Sequence, residues 1–295
     1  MTVCIAAICQ GVGSTFENPY RLIIGATDRK LTAGDIQFEP PMRKVWQFLP
    51  KCVALVAGDV FAQTEICQNI LQHRPLSTID VVKAYVAELC RYNNQNAEIK
   101  ILAPFGLTMQ SFLAQQGSLS IDFVSVLKSS IERERADVET IICGIDSGSP
   151  QLYTIDRFAR PLCHNTIGFA AIGDGQRHAT SEFMFEGYTP YWFVPQALVL
   201  AYTAKKHAEV APGVGAETDV FMIAEQYGGI RDEIFKKLGE EYKRVRQIQT
   251  KALAKSYASL EEYLQNLLTA TIQTNQQIQP PLGEPPHPRL VDGAG

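Results

Sequence analysis

The chain has 295 residues, 46% of them apolar, enough for one large hydrophobic core or two smaller ones. Its formal net charge is −4 and no block of basic residues stands out, so no nucleic-acid footprint is visible. No apolar run approaches the ~20 residues that a membrane-spanning helix needs, so a membrane partner is not expected either.

Residues 3–9 ("VCIAAIC"), 22–26 ("LIIGA") and 52–57 ("CVALVA") are short, apolar and partly β-branched, and read as buried strands. The turn-rich "GSTFENPY" between the first two predicts a hairpin with a long loop. Residues 59–73 have helical spacing, with Phe61, Ile66, Ile70 and Leu71 on one broad face and Asp59 at the N-cap position after Gly58. "STIDVVKAYVAELCRYN" opens on Ser77 and Thr78 as caps and continues as a helix. A Pro- and Gly-interrupted stretch comes next over 100–119, then a helix in "SIDFVSVLKSSIERERAD". "VETIICGI" and "QLYTID" predict two strands around the turn "DSGSP", and "IGFAAIG" a further strand. "QRHATSEFMFEGY" and "PQALVLAYTAKKHAEV" predict helices, "TDVFMIAE" a strand, and residues 231–271 a long amphipathic helical region. Within it "RDEIFKKLGEEYKRVR" mixes both signs of charge, as a solvated helix face does. The Pro-rich tail, residues 279–295, is expected to be disordered.

This order lacks the steady strand–helix alternation of a parallel doubly wound sheet. It suits an α+β fold of two antiparallel sheets packed together, with helices on both outer faces.

The seven cysteines are odd in number and sit among apolar neighbours, as buried reduced thiols do; this fits a cytoplasmic setting. No C-x-x-C occurs, so a metal site lacks support, and no cofactor is implied. The apolar N-terminal stretch has no basic region before it and does not read as a signal peptide.

The segment "GATDRKLTAGDIQFEPPMRKVW" leaves a buried strand on Asp28 and returns on Lys44, with Arg29, Lys30 and Arg43 beside them. One reading is a surface hairpin. The other is a site in which a carboxylate and an ammonium face a third group. Singly, Thr2, Asp28, Lys44 and Gly58 have plainer roles: a strand's first residue, a turn, a solvated lysine and a helix-entering glycine.

Four stretches, in order, resemble the proteasome β-subunit family of N-terminal-nucleophile hydrolases, including its bacterial proteasome-like members. "MTVCIAA" places Thr2 directly after Met1 and before a strand. "IIGATDRK" resembles the family's second strand, ending on an Asp. "MRKVWQFLPKCVALVAGD" resembles its lysine strand, with Gly58 fourteen residues after Lys44. "GIDSGSPQLYTID" resembles its G-x-D-x-x-G-P-x-L-Y-x-x-D hairpin with the glycine displaced by one. "IGFAAIGDGQRHATSEF" then resembles the family's strand-to-helix entry after that hairpin. The likeness covers residues 2–74 and 138–224.

The resemblance implies a four-layer αββα sandwich in a single domain over 1–278. Residues 75–119 would be a helical insertion and 225–278 a C-terminal helical extension. It also implies a threonine peptidase. Once Met1 is removed, the Thr2 hydroxyl would attack an amide carbonyl while its own α-amine, with a pKa of about 7.7–8 when free, takes the proton. Lys44 would lower that basicity by like-charge repulsion, Asp28 would pair with and orient Lys44, and the Gly58 N–H would donate to the oxyanion. The implied substrate is a peptide or unfolded protein, and the implied assembly is a self-compartmentalising homo-oligomeric ring. No G-x-x-x-x-G-K-[ST] occurs, so any ATPase that delivers substrate would be a separate chain.

Departures from the family pattern stand at Asp174, where a Ser is usual, and at Ala211 and Val214, where an Asp and a Ser support the amine. They keep open a catalytically inactive assembly or scaffold subunit. A small-molecule amidase of the same fold is a third reading. His178, four residues after Asp174 near a helix start, reads as a cap or surface residue rather than a second catalytic group.

Overall fold

The computed structural model describes residues 2–15, 20–33, 36–39 and 44–277. Its contacts fall into two compact units, Met1–Tyr242 and Lys243–Gly295.

In chain order the strands are β1 (Cys4–Gln10), β2 (Arg21–Asp28), β3 (Leu31–Ala33), β4 (Ile36–Phe38), β5 (Val45–Leu49) and β6 (Cys52–Gly58). Helices α1 (Val60–Gln72), α2 (Thr78–Ala97), α3 (Met109–Gln115) and α4 (Ile121–Arg133) come after them. Then come β7 (Val138–Asp146), β8 (Ser149–Ile155), β9 (Pro161–Cys163), β10 (Phe169–Ile172), α5 (Gln176–Phe185), α6 (Val194–Ala208), β11 (Thr218–Ile223), β12 (Tyr227–Gly229) and α7 (Asp232–Gln277). Among the described residues these make two five-stranded antiparallel sheets, ordered β10-β1-β2-β11-β12 and β5-β6-β7-β8-β9, and a β3–β4 ribbon. The protein is therefore mixed α/β with antiparallel sheets, consistent with the α+β expectation.

Side-chain alternation along β1 sorts its residues into two cores. Cys4, Ala6 and Ile8 pack with Ile23 of β2 and with Val53, Leu55, Ile141 and Cys143 of the second sheet. Val3, Ile5, Ala7 and Cys9 face the opposite way, toward Phe183 of α5 and Ala197, Leu200, Ala201 and Ala204 of α6. The outer face of the second sheet, with Cys52, Ala54 and Ile142, packs on Ile66 and Ile70 of α1 and Val81, Tyr85 and Leu89 of α2. Both faces of β1 are thus covered, which is why it reads as an unbroken apolar run.

Several local signals act as their chemistry requires. Asp59 caps α1, its carboxylate accepting from the N–H groups of Phe61 (2.9 Å) and Ala62 (3.2 Å). Ser77 alone caps α2; Thr78 is the first helical residue, and its Oγ1 donates to Asp146 at 2.8 Å. The β7–β8 hairpin closes on Ser147 and Gly148, both at positive φ (49° and 81°), the combination a tight two-residue hairpin turn demands.

The expected apolar face of α1 needs correction. On α1 the buried residues are Ala62, Gln63, Ile66, Cys67 and Ile70, whereas Phe61 and Leu71 are exposed. The helix turns the edges of the expected face to solvent. α2, within the expected insertion, belongs to the core over the second sheet. Only Leu102, Phe112 and Leu127, from the segments after it, form a separate small cluster. In the second unit the side chains from Lys243 to Leu268 are exposed. The tail expected over 279–295 lies outside the described residues. No helix among those described is long and apolar enough to cross a membrane.

Of the seven free thiols, Cys90 and Cys163 are exposed and the other five are buried. Burial pushes the Cys9, Cys52 and Cys67 thiols up to about 12, far from the reactive thiolate form. Brief treatment of the native protein with iodoacetamide is therefore expected to add two adducts, at Cys90 and Cys163, with the rest appearing only in denaturant. Peptide mass mapping reads this directly, and early labelling of Cys67 would contradict the packing of α1.

Candidate active site

Thr2 stands two residues before β1, a strand paired on both sides from Cys4 onward. Its carbonyl accepts from the Gly175 N–H at 3.2 Å, and it is buried. Asp28 is the last residue of β2 and is fully buried. Lys44 stands one residue before β5, its carbonyl accepting from the Val56 N–H at 3.2 Å; only 7% of it is exposed.

These strand ends bring three functional groups together. The Lys44 Nζ donates to Thr2 Oγ1 at 2.5 Å and to Asp28 Oδ1 at 3.1 Å, and also to the Lys30 carbonyl. The Thr2 hydroxyl donates to Asp28 Oδ1. The remaining Asp28 contacts come from backbone: Val3 N–H to Oδ1, and Lys30 and Gly215 N–H to Oδ2, each at 3.0 Å. The ammonium thus uses its three donors and the carboxylate fills both oxygens. Burial of two charges is tolerable only with such complete pairing. The surface-hairpin reading of Asp28 and Lys44 does not fit this burial.

Chemically, an ammonium donating to a hydroxyl oxygen favours the anionic form of that oxygen, and a carboxylate accepting from it orients the O–H bond. The neighbouring Cys4 thiol is pushed up to about 12, mainly by burial and against the pull of Lys44. It stays protonated at neutral pH.

A cleft of about 240 Å³ opens on Thr2 and is lined by Ala57, Gly58, Asp137, Glu139, Gly173, Asp174 and Gln176. Gly58, the fourth residue singled out by sequence, has φ 101°, and a Cβ there would come within 1.9 Å of the Asp137 carbonyl. Gly173 has φ 84°, and a Cβ there would lie 2.4 Å from the Thr2 carbonyl oxygen. Both positions therefore demand glycine, one at the cleft wall and one against the Thr2 backbone.

Asp174 lines the cleft and is exposed, and His178 is also exposed. Ala211 and Val214 are buried and belong to the core beneath α6; no polar side chain comes from these two positions. Sequence reading missed Glu139, whose Oε2 accepts from the Gly173 N–H at 2.9 Å. It also missed the Gly215 N–H, because a backbone donor carries no side-chain signature. Among the described residues no group of three or more His, Cys, Asp or Glu side chains gathers as a metal ion would require.

No protein-family model matches the chain, and no curated protein matches it in sequence.

Proposed function

We propose that this protein is a threonine-type amide hydrolase, a proteasome-like peptidase built as a four-layer αββα sandwich of the N-terminal-nucleophile kind. The observation that carries the reading is the buried contact of Thr2 Oγ1 with both the Lys44 ammonium, at 2.5 Å, and the Asp28 carboxylate, beside an open cleft. Burial of the two sheets against each other, with helices on the outer face of each, supports the layer order.

In this mechanism the Met1–Thr2 bond is first cut, whatever agent cuts it. The freed α-amine takes the proton from Oγ1 as Oγ1 bonds to the substrate carbonyl carbon, and the Gly58 N–H donates to the oxyanion. The C–N bond then breaks, the proton passing to the leaving amine, and water releases the acyl group from Oγ1. The ring and the separate ATPase rest on the family resemblance, and the cytoplasmic setting on the reduced cysteines.

A catalytically inactive scaffold subunit is the second reading. It is favoured by the apolar packing of Ala211 and Val214 at positions where the family carries polar support. Intact mass separates the two. The hydrolase reading expects protein lacking one methionine residue, together with cleavage of fluorogenic peptides by that species. Protein that keeps Met1 throughout, or loses it and cleaves neither peptides nor small acyl-amides, would end it. Cleavage of small acyl-amides alone would assign a small-molecule amidase.

A further inference from the structure

A second buried lysine lies outside the contacts among Thr2, Asp28 and Lys44. Lys205, on α6, is 0% exposed. Its Nζ donates to Glu209 Oε1 at 2.6 Å and to two consecutive backbone carbonyls, Gly215 at 2.8 Å and Ala216 at 2.9 Å. Three acceptors use all three N–H donors. Burial pulls its pKa below the usual lysine value, with the Glu209 hydrogen bond and charge opposing. A lysine so placed is costly to desolvate, and a well-packed apolar side chain often serves stability as well or better. Its geometry therefore calls for a reason beyond stability.

That reason is the loop it grips. On the other side of the same turn, the Gly215 N–H donates to Asp28 Oδ2 at 3.0 Å. The neighbouring amides of Ala216 and Glu217 donate to the Glu39 carboxylate at 2.9 and 3.2 Å, and Lys30 Nζ donates to the Pro212 carbonyl at 2.8 Å. Those two grips are exposed, and solvent weakens them. Lys206 adds a longer contact to the Ala216 carbonyl, 3.2 Å, from the exposed side, and shares Glu209 at 2.7 Å. Ala211 and Val214 give the loop no polar side chains of its own. The buried grip is that of Lys205.

We propose that Lys205 is a positioning residue: by holding the Gly215 and Ala216 carbonyls it keeps the Gly215 N–H on Asp28, and so fixes the carboxylate that orients Lys44 and Thr2. Its consequence for rate rests on the hydrolase reading; its consequence for the loop does not.

Lys205→Met keeps the bulk and removes the donors, with the less buried Lys206→Met as the control. Amide hydrogen exchange on the full chain is the first readout. Gly215 should exchange about tenfold faster or more in Lys205→Met while the β1 and β7 amides keep their protection, and Lys206→Met should leave Gly215 near wild type. Steady-state kinetics are the second. For Thr2-dependent hydrolysis, kcat should fall about 10–100-fold with KM nearly unchanged, the signature of misplaced reacting groups. If Lys205→Met does not fold, Lys205→Ala, which leaves room for water at the two carbonyls, is read the same way. Unchanged Gly215 exchange in a folded variant overturns the proposal, as does an unchanged kcat or a loss confined to KM. Absence of Thr2-dependent hydrolysis in the wild type overturns the hydrolase reading instead, and the exchange result still decides the role of Lys205.

Discussion

Thr2→Ala is expected to bring amide hydrolysis down to background, a fall in kcat/KM of at least roughly 10³-fold, as removal of an attacking group does. The substitution deletes Oγ1, which stands between the Lys44 ammonium and the Asp28 carboxylate. It should leave the fold nearly intact, because Lys44 keeps Asp28 Oδ1 and the Lys30 carbonyl, and Asp28 keeps the Val3, Lys30 and Gly215 N–H groups. Activity would therefore be lost without loss of stability. The check pairs fluorogenic-peptide kinetics with thermal unfolding of the same preparations. Equal hydrolysis by wild type and variant, both freed of Met1, removes Thr2 from the mechanism.

Asp28→Ala is expected to have the largest effect on stability. It strips the counter-charge from a 7% exposed ammonium and leaves the N–H groups of Val3, Lys30 and Gly215 without their acceptor. Breaking a buried ion pair from one side costs about 3–5 kcal/mol. In a unit of this size each kcal/mol moves the melting temperature by about 2–4 °C, so Tm should drop by roughly 6–20 °C. Differential scanning fluorimetry reads this. A Tm close to wild type would mean that Lys44 finds water or another partner, and that the pairing contributes little to the fold.

The strand ends were legible because a charged residue closing an apolar run is costly unless something receives it. Asp28 and Lys44 are the cases here, and each receives the other. The α1 cap at Asp59 and the β7–β8 turn at Ser147 and Gly148 were legible for a similar reason: few residues tolerate those backbone positions. What escaped is of three kinds. β3, β4, β9 and β12 have three residues each, too few for any period to show. The edges of a helical stripe depend on how far the neighbouring sheet extends, so spacing alone buried Phe61 and Leu71, which are exposed. Finally, much of what surrounds Asp28 is main chain, from Val3, Lys30 and Gly215, and a peptide N–H looks alike at every position in a sequence.

The place of β1 between β10 and β2 has a kinetic corollary. An attacking group carried on a mobile loop can disengage while the rest of the molecule stays folded. Here the hydroxyl stands two residues before an interior strand of the first sheet, with the Thr2 carbonyl on the Gly175 N–H and the Val3 carbonyl on the Asp28 N–H, and a slip of one residue would put the Val3 side chain in its place. Withdrawing the hydroxyl therefore means breaking the Thr2 and Val3 carbonyl contacts as well as its own, while the strand behind it moves only if two rows of main-chain bonds open together.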